Sequence, residues 1–200
     1  MTVGVDMYPI YEALEVLKVE LQHYLEIKMN RMQGGDYVQL SPLIEDGNTA
    51  EMQTDTVGLT LVHVMEDGVN RPQLPLKPPM GSPKRYENPP LLLKLYVLLS
   101  ANFSKYAEAI KHLSAVIGFF QSKSVFDYRN TPEMPEELGT LNLTLYSMNL
   151  DKQYNLWSSL GTAYKPSVVY ELRTLKVDEK RVTSRGANVR SLELGHRSPP

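Results

Sequence analysis

The chain has 200 residues, 42% of them hydrophobic, enough for one domain with a sizeable core. A formal net charge of −2 argues against a chain whose main business is gripping nucleic acid, and the lack of cysteine excludes disulfides and thiol catalysis. Charge is unevenly placed: residues 179–200 hold five arginines and lysines against two glutamates, a net +3, which leaves −5 on residues 1–178.

The opening MTVGVDMYPIYEALEVLK has no basic region followed by an apolar core, so it does not read as a signal peptide. The first predicted element is a helix over about Tyr8–Met32. Ile10, Leu14, Leu17, Leu21, Leu25 and Met29 recur at spacings of three and four, and Pro9 suits an early helical position. Gly34–Gly35 ends it. A short strand is predicted over Asp36–Ile44, then a polar loop to Asp55, then a strand over Thr56–Glu66 that is apolar on both faces and so internal to a sheet.

Residues 67–90 contain seven prolines and two glycines, a composition that predicts a long surface loop without regular structure. Leu91–Ser100 reads as a strand. Lys94 interrupts its apolar run, which falls far short of the roughly 20 residues that span a bilayer, so a soluble protein is expected. A second amphipathic helix is predicted over about Ser104–Gln121, with Tyr106, Ala107, Ile110, Leu113, Ile117 and Phe120 as its buried stripe. Val125–Glu137, with Pro132 and Pro135, reads as irregular. Then come a strand over Leu141–Leu150, a short helix carrying the lone Trp157, a turn at Gly161 and Tyr164–Lys165–Pro166, and a strand over Ser167–Val177.

Two long helices with about five strands that do not alternate strictly imply an α+β fold with a mixed, mainly antiparallel sheet. The expected division is a body over residues 1–178 and an extended basic arm over 179–200. Leu92, Val97, Leu141, Leu145, Val169 and Leu172 are the expected sheet core.

No constellation for catalysis emerges. The four histidines are never three or four apart, and no cysteine is present to complete a zinc set. Glu133, Glu136 and Glu137 follow Thr131–Pro132 as a solvated turn, and Glu45, Asp46, Glu51 and Asp55 lack the alternation of a calcium loop. No phosphate cradle, nucleophile elbow or H-E-x-x-H is present. We therefore expect no enzyme, no cofactor and no metal, and a function in surface recognition. The candidate recognition residues are Trp157, Tyr164 and Lys165, the loop cations Lys84 and Arg85, and the arm cations Arg181, Arg185 and Arg190. Trp157 has two readings, a plug in the sheet core or an anchor between subunits, and the core is preferred. The arm is either a solvated end or a docking arm. The segment PLKPP at 75–79 is either a stiff loop, the preferred reading, or a ligand for an aromatic-lined groove.

Several segments occur together in one order: YPIYEAL at 8–14, NPPLLLKLYVLLS at 88–100, a helix ending near Val125, and LWSSLGTAYKPSVVY at 156–170. In this the chain resembles the cap, or tail terminator, of extracellular contractile injection systems of the antifeeding-prophage and virulence-cassette type. The resemblance spans about residues 8–178. It implies a homohexameric ring that closes the baseplate-distal end of an inner tube and its sheath, with the tube and sheath proteins as partners and neither nucleic acid nor membrane. It also implies assembly in the cytoplasm and then a place in a released extracellular, or cell-anchored, phage-tail-like particle. The other reading is a peripheral adaptor that docks a partner through the proline-rich loop or the basic arm.

Overall fold

The first helix, α1 (Pro9–Lys28), needs no N–H from Pro9 in its opening turn, and its stripe Leu14, Leu17, Leu21 and Leu25 is buried as the spacing requires. In the computed structural model, residues 8–30, 35–43, 54–68, 85–87, 91–177 and 182–185 are described, with 85–87, 174–176 and 182–185 as backbone alone. Gln22 on α1 fixes the position of the first strand. Its Oε1 accepts the backbone N–H groups of Tyr37 and Val38 at 3.0 and 2.9 Å, while its Nε2 donates to the Gly35 carbonyl. Those bonds hold β1 (Val38–Leu40) beside the helix.

The remaining elements are β2 (Thr56–Glu66), β3 (Arg85–Glu87), β4 (Leu91–Asn102), α2 (Tyr106–Ser122), β5 (Val125–Phe126), β6 (Leu141–Tyr146), α3 (Leu150–Leu160), β7 (Ser167–Val177) and β8 (Val182–Arg185). Six strands form one sheet in the order β1-β2-β4-β7-β6-β5. Only β1 and β2 run parallel; the other neighbours are antiparallel, so the sheet is mixed and mainly antiparallel as expected.

Side chains alternate across the two central strands, and each face packs separately. Leu95, Val97 and Leu99 of β4, with Tyr170 and Leu172 of β7, face α1 and α2 in the main core. That core is rich in rings: Phe120 lies 4.7 Å from Tyr170 and 4.9 Å from Phe119, contacts of about 0.5–1.5 kcal/mol each beyond their burial. Leu98 and Val169 face the other way, into a smaller cluster with Leu43 and Trp157. Two long helices thus cover one face, and α3 covers part of the other.

Several expectations are corrected. The buried stripe of α2 is Ala109, His112, Ala115, Val116, Phe119 and Phe120, whereas Tyr106 is 71% exposed and Ile110 and Ile117 lie on the outer side. The apolar residues of α2 spread over more than one face, and the face that is buried includes His112. Its ring stacks on Phe103 at 4.1 Å and its Nδ1 lies 2.8 Å from the Glu108 carbonyl, so a polar side chain sits on the buried face. Leu145 is 48% exposed because β6 lies near the sheet's edge.

Val125–Glu137 is irregular over residues 127–135, as expected, but not at its two ends. It contains β5 and leads into a 3₁₀ turn over Glu136–Leu138, with Phe126 and Met134 buried. Asp127 Oδ1 accepts from the Arg129 and Asn130 N–H groups, and Asn130 Oδ1 accepts from that of Asp127. Side chains here replace a ladder. β6 stops at Tyr146, four residues short of its expected end, because Asn149 caps α3 by accepting the Lys152 N–H at 3.0 Å.

The proline-rich segment also holds a strand. Arg85, Tyr86 and Glu87 lie between Pro83 and Pro89, and they pair antiparallel with β8 of the basic arm, Arg85 opposite Arg185. The partner lies about a hundred residues away, so local composition could not reveal it.

Candidate interaction surface

Trp157 projects from α3 toward the sheet and is only 5% exposed. α3 is held at both ends: Asn149 caps its start, and Gly161 closes it in the left-handed region at φ 64°, where a Cβ would be strained. The indole packs with Leu43, Leu98 and Val169, and its ring meets Tyr164 edge-on at 5.4 Å. Among the described residues its N–H has no hydrogen-bond acceptor. Trp157 is therefore seated as core, and the accessible part of this corner is Tyr164, 59% exposed, with Leu150 and Tyr154 on the outer side of α3. Lys165 beside it is half-buried.

Next to α3 the same sheet face carries an apolar groove of about 230 Å³, floored by Val62, Tyr96, Tyr146, Met148, Leu156 and Val169. Tyr96 meets Tyr146 edge-on at 5.0 Å, and His63 lies 5.9 Å from Tyr96 on the other side. A register shift between Leu61 and His63 brings both Val62 and His63 toward this face. That bulge was not foreseeable from an apolar run read as a regular strand.

The groove runs into a polar cluster. Tyr96 donates its hydroxyl to Glu171 Oε2 at 2.9 Å, and Arg173 donates to the other carboxylate oxygen. Burial alone would raise the Glu171 carboxyl, but the hydrogen bonds from Arg173 and Tyr96, with the nearby charges of Arg173 and Lys94, outweigh it and hold the group below the usual carboxylate range. Burial and then the Glu171 hydrogen bond push the Tyr96 phenol up. Lys94, which interrupts the apolar run of β4, pairs with the buried Asp67 at 3.5 Å.

Among the described residues both edges of the sheet are only partly paired. β1 pairs with β2 only as far as Leu59, so no described strand pairs with the outer edge of β2 beyond Thr60. At the opposite edge β5 covers only Leu141 and Asn142 of β6. Val64 and Met65 on the open part of β2 are 39% and 45% exposed. β2 is thus internal in its first half and an edge in its second.

The other nominated residues scatter. Arg85 and Arg185 are backbone partners in the register of the β3–β8 ribbon, which the spacing of the sequence did not suggest. Lys84, Arg181 and Arg190 lie outside the described residues, as does PLKPP. On α1 an acidic rim of Glu12, Glu15 and Glu20 faces Glu133. Lys18 offsets Glu15 at 3.4 Å and Lys123 offsets Glu20 at 2.7 Å. Asp55, counted with the acidic loop, accepts both the N–H and the hydroxyl of Ser104 and so joins β2 to the start of α2. Among the described residues no group of acids and histidines is placed to hold a metal ion, and no helix is long and apolar enough to cross a membrane.

A family model described as the Pvc16 N-terminal domain matches residues 12–191. Two solved structures share the architecture. One, described as the sheath/tube terminator of an extracellular contractile injection system, PVC, in its extended state, aligns over 98% of this chain with a TM-score of 0.64 at 16% identity. The other, described as the anti-feeding prophage cap, or tube terminating cap, aligns over 90% with a TM-score of 0.58, also at 16% identity. The chain spans 66% and 58% of the lengths of those two chains. No functionally curated protein matches the sequence.

Proposed function

The chain belongs to the Pvc16 N-terminal domain family, and from that premise we propose that it is a structural cap that closes the baseplate-distal end of the tube and sheath of a phage-tail-like contractile injection system. The observation that carries this reading is the fold it shares over 98% of its length with a chain described as a sheath/tube terminator. The surface is compatible with such a role: α1 and α2 brace one face of a six-stranded sheet, and among the described residues the other face, only partly covered by α3, and stretches of both edges keep accessible surface for contacts between proteins.

In this reading copies close head to tail into a ring, six if the ring matches a sixfold tube, because a heterologous interface that closes makes a ring. The body over residues 1–178 forms the wedge, and the segment from 179 acts as an arm. Tyr164 and Lys165, with the cations Lys84, Arg85, Arg181, Arg185 and Arg190, contribute to contacts with neighbours, tube or sheath, and Trp157 holds that corner rigid. One face of the ring matches the last tube or sheath layer and the other offers no template, which stops polymerisation. The cap carries out no chemistry of its own. It is assembled with the particle and leaves the cell as part of it. The test is reconstitution: purified protein added to preassembled tubes should bind at one end only and block further addition of tube protein. Binding along the tube wall, or growth unaffected by the protein, would contradict the proposal.

A further inference from the structure

The β3–β8 ribbon is a sheet of its own, yet it keeps nearly the register of the two central strands. In the β4–β7 ladder Leu91 stands opposite Val177, and in the ribbon Glu87 stands opposite Val182 and Arg85 opposite Arg185. Only three residues, 88–90, separate the two ladders on one strand, and only four, 178–181, on the other. Two of the three are Pro89 and Pro90, which have no N–H to give to a ladder. The same two stretches of chain therefore pair on both sides of a proline break. We infer that the ribbon continues the β4–β7 ladder beyond the body as one two-stranded arm, and that this arm docks on the acidic body of the neighbouring copy. The inference rests on the ring reading, and it joins the proline-rich segment and the basic arm, two separate docking candidates in the sequence, into a single one.

Charge selects the partner. Residues 84–87 and 178–185 together hold five lysines and arginines against three acidic residues, a net +2. Residues 1–83 and 88–177, the body without the ribbon, carry −5. A ring also needs two different surfaces on each subunit, because its interfaces are heterologous. A basic projection and an acidic body are such a pair, and their opposite signs steer one onto the other. The ribbon itself calls for a partner: two strands with no further neighbour are only marginally stable in water.

The chain has no cysteine, so the ribbon can be locked by a disulfide of choice. Tyr86 and Ser184 are opposite each other, and directly opposed residues of antiparallel strands lie about 4.5–5.5 Å apart at Cα, within disulfide reach. In the full chain carrying Tyr86→Cys and Ser184→Cys, mild oxidation should close a bond within one chain. The locked protein should form rings as well as the unsubstituted one, read by light scattering. Arg85→Glu combined with Arg185→Glu should weaken ring assembly at least tenfold at physiological salt and leave the melting temperature of the subunit unchanged. Both positions change sign together, so the charges across the ribbon stay alike and only the attraction to an acidic surface is lost. Four results would overturn the inference. A disulfide that does not close would show that the ribbon is not formed in solution. Rings that appear only after the lock is reduced would show that the two strands dock apart. Rings unaffected by the charge reversal would remove the neighbour as partner, and loss of tube binding by those rings would reassign the arm to the tube. These three leave the ring reading intact. A protein that stays monomeric without any substitution would remove the ring reading, and this inference with it.

Discussion

Glu171 occupies a place where burial and hydrogen bonding pull its proton affinity in opposite directions, and hydrogen bonding prevails. A carboxyl held below its ordinary value of 4.5 stabilises the fold fully above that value, and the contribution is lost as pH falls through the depressed one. Glu171→Gln should therefore lower the urea midpoint at neutral pH, and the gap to the unsubstituted protein should close on acidification below about pH 4.5. A gap independent of pH would show that the Tyr96 and Arg173 bonds do not set this group's titration. Trp157 makes the complementary case. Replacing it with alanine should cost about 3–5 kcal/mol in chemical denaturation of the isolated protein, because the indole is enclosed by Leu43, Leu98 and Val169. An unchanged midpoint with failed assembly would reassign it as an anchor between subunits. The burial of Trp157 could be read from its position on a short helix between strands. The clamp made by Gln22 could not, because its partners at Gly35, Tyr37 and Val38 come from a segment with no signal for that contact.

At the level of elements, periodicity served well where one face is apolar and poorly where several are. The stripe of α1 was legible because Lys18, Glu15 and Glu26 leave no second apolar face. α2 has Ile110, Leu113 and Ile117 as well as Val116, Phe119 and Phe120, and only its contacts with Phe103 and the sheet decide its rotation. Two substitutions test the observed rotation. Val116→Ala should cost about 2 kcal/mol, two buried carbons plus a cavity. Ile117→Ala should change stability by no more than about 0.5 kcal/mol, as at other surface positions. Reversed magnitudes in thermal or urea unfolding would restore the stripe expected from spacing alone. The β3–β8 ribbon and the open half of β2 were illegible for a different reason. Both depend on partners distant in sequence, and pairing carries no mark in the composition of either strand. The recognition residues divide the same way: Trp157 and Tyr164 are neighbours in sequence and in space, while Arg85 and Arg185 meet only through the ladder.

For the molecule as a whole, the ribbon changes how the arm must be tested. A cut after Val177 would also remove β8 and leave Arg85–Glu87 without its partner strand. A cut after Arg185 spares the ribbon and isolates the remaining segment. That truncated protein should keep its melting temperature and assemble into rings more weakly at physiological salt, read by light scattering. Assembly at full strength would make the segment passive. A cap's defining task is termination. A tube of identical stacked rings ends in a surface like every earlier ring, so the stop signal has to come from another protein. The most direct measurement is the length distribution of particles, by electron microscopy, from cells lacking this protein. The terminator role predicts intact baseplates carrying tubes of uncontrolled length or unstable sheaths, restored by supplying the protein again. Particles of normal length with normal distal ends, made in its absence, would contradict it.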